Sequence, residues 1–359
     1  MDVLAVNAGS SSLKLRLVSA TQEVRAEADV APDDGAALER FLDELPAVDA
    51  AAHRFVHGGR LEQAAVIDES VLREIEAAEE IAPLHTPLAV ACARELLRLR
   101  PALPQVACLD TAFHRTLPDR AATYAVPAEW RERHAVRRRG YHGFSHAWAS
   151  RRTAELLGRP LGDLRTVTCH IGAGVSLAAI DGGRSVDTTM GMTPAEGPVM
   201  ATRSGTIDPG ALLLLVEHEG GAHSVREGLE RRSGLLGLSG VSGDVREVLE
   251  AAARGNTDAA LAIDVYVHRL RGAVAAMAAA MGGVDAVTFT AGVGESSARI
   301  RAGVCDGLGF LGIALDADRN AACTPDALVD SARGTVAVAV VRAREELEMA
   351  REARAVLGG

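Results

Sequence analysis

Short apolar runs that end in clusters of glycine, alanine and serine recur along the chain. The first, DVLAVN at residues 2–7, leads into such a cluster, and LKLRLV at residues 13–18 then alternates apolar and polar positions. Alternation of this kind is typical of a half-buried strand. The chain is therefore predicted to begin with a strand, a tight turn and a second strand. AAHRFVHGG (residues 51–59) and QVACLD (residues 105–110) predict two more strands.

Helical spacing appears between and after these strands. The segments 37–45, 68–85 and 87–104 each predict a helix; the second begins at an acidic cap and is expected to stop at Pro83. The last segment, 334–357, predicts a strand followed by an Ala-rich helix that begins near Glu345.

The opening pattern returns in the second half of the chain. TVTCHIGAGVSL at residues 166–177 again reads as strand, small-residue turn and strand, and DAVTFTAGVGESS at residues 285–297 predicts a buried strand, a glycine turn and a helix beginning near Ser296. Repetition at this distance indicates two copies of one domain core. Strands alternating with helices, together with hairpins, predict an α/β fold with mixed sheets.

Composition narrows the class of protein. The chain has 359 residues, of which 48% are hydrophobic, and a net charge of −10. No basic stretch is interleaved with aromatic residues, so neither nucleic acid nor a membrane is an expected partner. The five scattered cysteines suggest neither a zinc site nor a disulfide framework, and a cytoplasmic enzyme is expected. Of the 38 lysines and arginines, only Lys14, at the first small-residue turn, is a lysine.

Three strand ends lead into turns of small residues, after Val6, Cys169 and Thr290. Such turns let backbone N–H groups approach an anion closely. None has the spacing of a P-loop or of GxGxxG. Each turn alone could be an ordinary one, but three together favour a phosphate site.

Individual polar residues at strand ends and turns add candidate chemistry. Arg54 lies in an otherwise apolar strand and needs an anionic partner if it is buried. Asp110 ends a strand, where open α/β sheets place their sites, although it could equally cap a helix. His142 could be structural or catalytic, and Arg203 stands in a loop of small residues. Glu345 could bind a metal or cap a helix.

In combination these stretches resemble one family. VNAGSSSLK, HRFVHGG, LDTAFHRTLP, GYHGFSH, HIGAGVS, ATRSGTIDP and TAGVGES occur in this order. They are similar to the motifs of the acetate kinase family, within the actin/hexokinase-like ATPase superfamily. The resemblance implies two duplicated actin-like domains, residues 1–111 with 346–359 and residues 112–345, with an active site in the cleft between them.

The resemblance also implies roles for individual residues. Catalysis is implied for Asp110, His142 and Arg203, and binding of Mg²⁺ (or Mn²⁺) for Asn7 and Glu345. Acetate binding is implied for Arg54, Val56, Leu84, His85, Tyr141 and Pro194. Binding of ATP or ADP is implied for Ser10, Ser12, Lys14, His170, Ile171, Gly172, Ala173, Gly174, Asp244, Val245, Arg246, Gly292, Val293, Gly294, Glu295 and Ser296. A homodimer is implied as well.

Three residues depart from the family pattern. Ala173 stands in place of an asparagine near the phosphates, Tyr141 in place of a phenylalanine and Ser296 in place of an asparagine. A kinase for propionate or another short-chain acid, and a nucleotide-binding protein with weakened catalysis, therefore stay open as alternatives; a sugar kinase is a weaker third. Because acetate is already ionised near neutral pH, we expect Asp110 to orient Arg54 or a metal-bound water rather than to remove a proton.

Overall fold

The computed structural model describes residues 1–9, 12–31, 34–77, 79 and 86–358. The chain forms two compact units: Met1–Arg115 together with Arg344–Gly359, and Thr116–Ala343.

The first unit is built on strands and helices at both ends of the chain. Its strands are β1 Val3–Ala8, β2 Leu13–Val18, β3 Val24–Val30, β4 Ala50–Phe55, β5 Ala65–Val66 and β6 Gln105–Leu109. Its helices are α1 Gly35–Glu44, α2 Glu69–Glu76, α3 Thr86–Leu99 and, after the second unit, α15 Glu345–Leu357. A 3-10 helix, Asp110–Thr116, follows β6.

Its sheet has the strand order β3-β2-β1-β4-β6-β5. The chain pairs β1 with β2 and β2 with β3 as antiparallel hairpins, while β1, β4 and β6 run parallel. Both α3 and α15 pack against β1 and β4. The three parallel strands are almost entirely buried, as apolar runs covered by helices should be.

The second unit contains the remaining elements. Its strands are β7 Arg165–Ile171, β8 Val175–Asp181, β9 Arg184–Thr188, β10 Ala286–Thr290, β11 Ala327–Leu328 and β12 Ala337–Val340. Its helices are α4 Asp119–Ala122, α5 Ala128–His134, α6 Gly143–Leu157, α7 Pro209–His218, α8 Gly221–Arg231, α9 Gly234–Ser239, α10 Val245–Ala253, α11 Thr257–Ala280, α12 Ala291–Ser296, α13 Ala298–Cys305 and α14 Ala317–Ala321.

The two sheets share one topology. The second has the order β9-β8-β7-β10-β12-β11, so β7 to β12 correspond one by one to β1 to β6. In each sheet the first three strands form two antiparallel hairpins, and the first, fourth and sixth strands run parallel to one another. The short fifth strand pairs antiparallel with the sixth. The expected duplication of one mixed α/β core is confirmed.

The structure corrects several local expectations. Strand β3 was not expected. Its sequence VRAEADV alternates apolar and polar residues, which is the pattern that could have predicted it, and the pattern is weak because β3 lies exposed at the edge of the sheet. Helix α2 begins after the cap Asp68 as expected but ends at Glu76, well before Pro83, which lies outside the described residues. The expected glycine turn after Thr290 is instead helix α12. Within the described part of the chain, no helix has the length and apolar character needed to span a membrane.

Candidate active site

Arg54 and Asp110 form an ion pair at the carboxyl end of the first sheet. Arg54 lies on β4 beside Cys108 of β6, and Asp110 follows β6 directly, so the parallel register brings both to one edge. Nη2 of Arg54 donates to Oδ2 of Asp110 over 2.9 Å. Only 14% and 1% of the two side chains are exposed. A pair buried to this degree is costly to separate, since each charge would lose its partner.

Glu345 brings a second carboxylate to this pair. It begins α15, and its Oε2 accepts a hydrogen bond from Nδ2 of Asn7 at 3.1 Å and lies 3.9 Å from Nε of Arg54. Burial raises the pKa of Glu345; Arg54 opposes the shift and Asp110 adds to it. Burial also opposes the charge of Arg54, but the two carboxylates outweigh it and raise the pKa of the guanidinium.

The lone lysine stands next to this cluster. Lys14 lies on β2 rather than in the turn, directly opposite Asn7 in the antiparallel register, and its side chain is exposed. Directly opposed residues project on the same face, so the ammonium group shares the face of the Asn7 amide. Ser12 closes the turn, because its carbonyl accepts a hydrogen bond from the N–H of Gly9 over 2.9 Å.

The other residues expected on the substrate side are only partly described. Val56 follows β4 directly and is half-buried. Ser10, Leu84 and His85 lie outside the described residues.

In the second unit, two histidines stack at the end of β7. His142 precedes α6 with a φ of +57°, in the left-handed region that residues other than glycine rarely adopt. Its ring lies parallel to that of His170, with centroids 4.0 Å apart. A Cβ on Gly174 would lie 3.4 Å from Nε2 of His142 and 3.6 Å from Nη1 of Arg203. The side chains of His142 and Arg203 therefore both lie next to the backbone of Gly174.

Arg203 is held from the loop that follows β9. Its Nη1 donates to the carbonyl of Pro194 over 3.3 Å. Burial lowers the pKa of this guanidinium, while Glu230 and Tyr141 oppose the shift. The hydroxyl of Tyr141 donates to the carbonyl of Met192 over 2.7 Å. The extra oxygen that Tyr141 introduces thus has a partner inside the protein.

A cavity of about 580 Å³ in the second unit gathers half of the residues expected to bind nucleotide. The expected residues that line it are Gly172, Ala173, Asp244, Val245, Arg246, Gly292, Val293 and Ser296. The cavity is also lined by Ala201, Leu235, Gly243 and Ser297, which the sequence analysis missed. These four are small or apolar residues without a local signal, and only the packing of α9, α10 and α12 brings them together.

Other expected nucleotide residues have different surroundings. Ile171 is fully buried at the end of β7, and a Cβ on Gly294 of α12 would lie 3.7 Å from its Cβ. The carboxylate of Glu295 accepts a hydrogen bond from the N–H of Ala343 over 2.8 Å. Ser296 donates to the carbonyl of Gly292 one turn earlier, over 2.6 Å.

Helix α12 is supported by a buried cation that the sequence analysis missed. Nη1 of Arg301 donates to the carbonyls of Gly294 and Glu295 at 3.0 and 2.7 Å, and only 1% of the residue is exposed. Nothing in the sequence distinguishes Arg301 from the many arginines on the surface.

Possible metal ligands are few. Among the described residues, no three His, Cys, Asp or Glu side chains come together as a metal site would require. Oxygen donors do meet at Asn7, Asp110 and Glu345, where two carboxylates share the guanidinium of Arg54.

Known proteins resemble this chain over its length. The family model described as the acetokinase family matches residues 34–351. Acetate kinase of Leifsonia xyli is 46% identical over 99% of both chains. The crystal structure of acetate kinase from Porphyromonas gingivalis has a TM-score of 0.91 and 36% identity, covering 99% of each chain. That of a propionate kinase from Francisella tularensis has a TM-score of 0.89 and 33% identity, covering 98% of each.

Proposed function

This chain belongs to the acetokinase family, and from that premise we propose that it is an acetate kinase. It transfers the γ-phosphoryl group of ATP to the carboxylate of acetate, giving acetyl phosphate and ADP, and it also runs in reverse. The observation that carries the proposal is the buried Arg54, which is held by Asp110 at the carboxyl end of parallel strands. A guanidinium in that position is suited to a carboxylate substrate, because its two parallel N–H groups match two oxygens.

The acceptor side of the reaction is assigned to Arg54 and Asp110. Arg54 binds the acetate carboxylate, and Asp110 fixes the guanidinium through the 2.9 Å hydrogen bond. Acetate needs no general base, since its own pKa is about 4–5, like that of a Glu side chain. Asp110 therefore acts on orientation and charge rather than on a proton.

The transferring phosphoryl group is assigned to His142 and Arg203. Both reach toward the backbone of Gly174, where a phosphoryl oxygen could be contacted by two donors. Phosphoryl transfer depends mainly on positioning and on positive charge around the equatorial oxygens. The nucleotide itself is assigned to the 580 Å³ cavity, a volume within the range typical of small-molecule sites.

The side-chain oxygens of Asn7 and Glu345 are suited to bind Mg²⁺. Hard oxygen donors are what this ion prefers, and it is commonly held by one or two carboxylates together with substrate phosphates. The excess of carboxylates over cations at Arg54 supports this assignment. Bound Mg²⁺ supplies positive charge to the phosphates. Lys14, opposite Asn7, is assigned to the same phosphates.

A homodimer is part of the proposal. In the described chain, helix α7 carries the sequence PGALLLLVEH, yet Leu213 and Leu214 are 65% and 56% exposed. Apolar side chains exposed side by side are typical of an interface. Light scattering of the purified chain, with Leu213→Arg as the dissociating variant, tests this assignment.

Trapping the acyl phosphate with hydroxylamine tests the function. We expect hydroxamate to form from acetate and ATP when Mg²⁺ is present. ATP binding without hydroxamate would overturn the proposal in favour of a nucleotide-binding protein. Propionate and butyrate are compared in the same assay, because the Francisella tularensis relative is a propionate kinase. A higher kcat/KM for propionate would reassign the substrate.

A further inference from the structure

Three buried hydroxyl and imidazole side chains lie behind His142. Nδ1 of His142 is 2.9 Å from Oγ of Ser176, and that same oxygen is 2.7 Å from Nε2 of His146. Nδ1 of His146 is in turn 2.7 Å from Oγ1 of Thr168. Thr168, His146 and Ser176 are completely buried. The four side chains form one chain of hydrogen bonds that ends at His142.

The hydroxyl of Ser176, which carries one proton, lies between the imidazoles of His142 and His146. Among the described residues, its hydroxyl contacts only His142 and His146. A hydroxyl has one proton to donate, so it can donate to one of these nitrogens and accept from the other. The chain of hydrogen bonds therefore runs either toward His142 or away from it.

Thr168 decides the direction. If the chain runs away from His142, Nδ1–H of His146 donates to Thr168, and the Thr168 proton needs a further acceptor. Among the described residues, that hydroxyl has His146 as its only hydrogen-bond partner. A buried donor without an acceptor is costly. In the opposite direction Thr168 donates to His146, His146 to Ser176 and Ser176 to His142, so each of these three buried protons has an acceptor.

We propose that Thr168, acting through His146 and Ser176, is a positioning residue that holds neutral His142 in the tautomer with its proton on Nε2. Ser176 donates to Nδ1 of His142, and this leaves Nε2–H as the donor on the side of Gly174 and Arg203. A phosphoryl oxygen accepts from that N–H, whereas the other tautomer would present a lone pair to it. The consequence for catalysis rests on the proposed function, but the tautomer does not.

The tautomer is measured directly by long-range ¹H–¹⁵N correlation spectra of ¹⁵N-histidine-labelled protein, at about pH 8, where an unperturbed imidazole is neutral. The chain has 11 histidines, and the His142 signals are assigned by their absence in His142→Gln. We expect Nε2–H in the wild-type protein. A wild-type spectrum that shows Nδ1–H at His142 would overturn the proposal.

Thr168→Val removes the hydroxyl that sets the direction while keeping the shape of the side chain. We expect a mixture of tautomers at His142 and a kcat lowered about tenfold, with little change in the KM for ATP or acetate. Thr166→Val is the matched control, because Thr166 faces the same side of β7, is 1% exposed and has no hydrogen-bond partner for its hydroxyl among the described residues. Equal tautomer ratios in the two variants would contradict the proposal.

Two further variants keep the test decisive. Thr168→Ser retains the hydroxyl and should restore both the tautomer and kcat. Ser176→Ala breaks the chain at its second link and should mix the tautomers even if Thr168→Val does not fold. If the wild-type protein forms no acyl phosphate, the proposed function fails, while the spectra still report on Thr168 without substrate.

Discussion

Replacing Asp110 by asparagine separates two roles that a buried carboxylate can have beside a carboxylate substrate. Asparagine keeps the shape and an oxygen that can accept from Arg54, but it removes the negative charge. A hydrogen bond to a charged group contributes about 1.5–3 kcal/mol, and a charge-assisted bond is roughly twice as strong as a neutral one. The substitution should therefore weaken the hydrogen bond that holds Arg54 by about 0.8–1.5 kcal/mol, which corresponds to a loss of about four- to tenfold in kcat/KM for acetate.

The pH dependence distinguishes orientation from proton removal. At about pH 7.5 only roughly one acetate molecule in 1,000 is protonated, given a carboxyl pKa near that of Glu. A base would therefore find no proton on the substrate. In Asp110→Asn we expect the KM for acetate to rise, with a loss in kcat/KM that is the same across the neutral range. Hydroxamate formation is measured from about pH 6 to pH 9, with and without added imidazole.

Asp285→Asn is the matched control for this experiment. Asp285 also pairs with an arginine, Arg165, at 3.1 Å, but at the amino ends of β7 and β10, the opposite edge of the sheet from His170. It should affect stability without changing the KM for acetate. Recovery of the Asp110→Asn rate at high pH or with imidazole would contradict the orienting role, because it would show that Asp110 removes a proton.

Three other predictions follow from single positions. Gly174→Ala should fold, yet lower kcat about tenfold, because the new methyl would stand 3.3 Å from Cε1 of His142; wild-type kinetics would contradict this contact. Lys14→Arg should melt at the wild-type temperature but raise the KM for ATP, since a planar guanidinium replaces a compact ammonium; an unchanged KM would separate Lys14 from the phosphates. Burial lowers the pKa of His53 from 6.5 to about 4, partly offset by its hydrogen bond to Gln105, so the unfolded chain takes up this proton first and stability is lost as pH falls from about 6.5 to 4. Chemical unfolding measured at about pH 6.5 and at about pH 4 gives the free energy of unfolding that each protein loses over this range. This loss should be smaller by about 3 kcal/mol in His53→Gln than in the wild-type protein, and equal losses would disprove the assignment.

Much of the fold was readable from local patterns. The apolar runs that predicted β1, β4, β6, β7 and β10 are long enough to be recognised one at a time, because a strand buried on both faces needs nearly every residue to be apolar. Strand β3 escaped notice because an edge strand is largely exposed and retains only a weak alternation. Helix α12 was expected as a turn because its glycines favour turns, whereas in the structure Arg301, from the following helix, donates to the carbonyls of Gly294 and Glu295 at its end.

Local properties of the chain specify which residue types stand at the strand ends and in what order the motifs follow. Which of these residues come into contact depends on the tertiary structure. Arg54 and Asp110 are 56 positions apart, and Asn7 and Glu345 are 338 apart; their contacts depend on parallel strand register and on α15 returning to the first sheet. The hydrogen-bond chain behind His142 likewise joins α6, β7 and β8. Such contacts arise from packing between distant segments, and no local pattern of apolar and polar residues encodes their geometry.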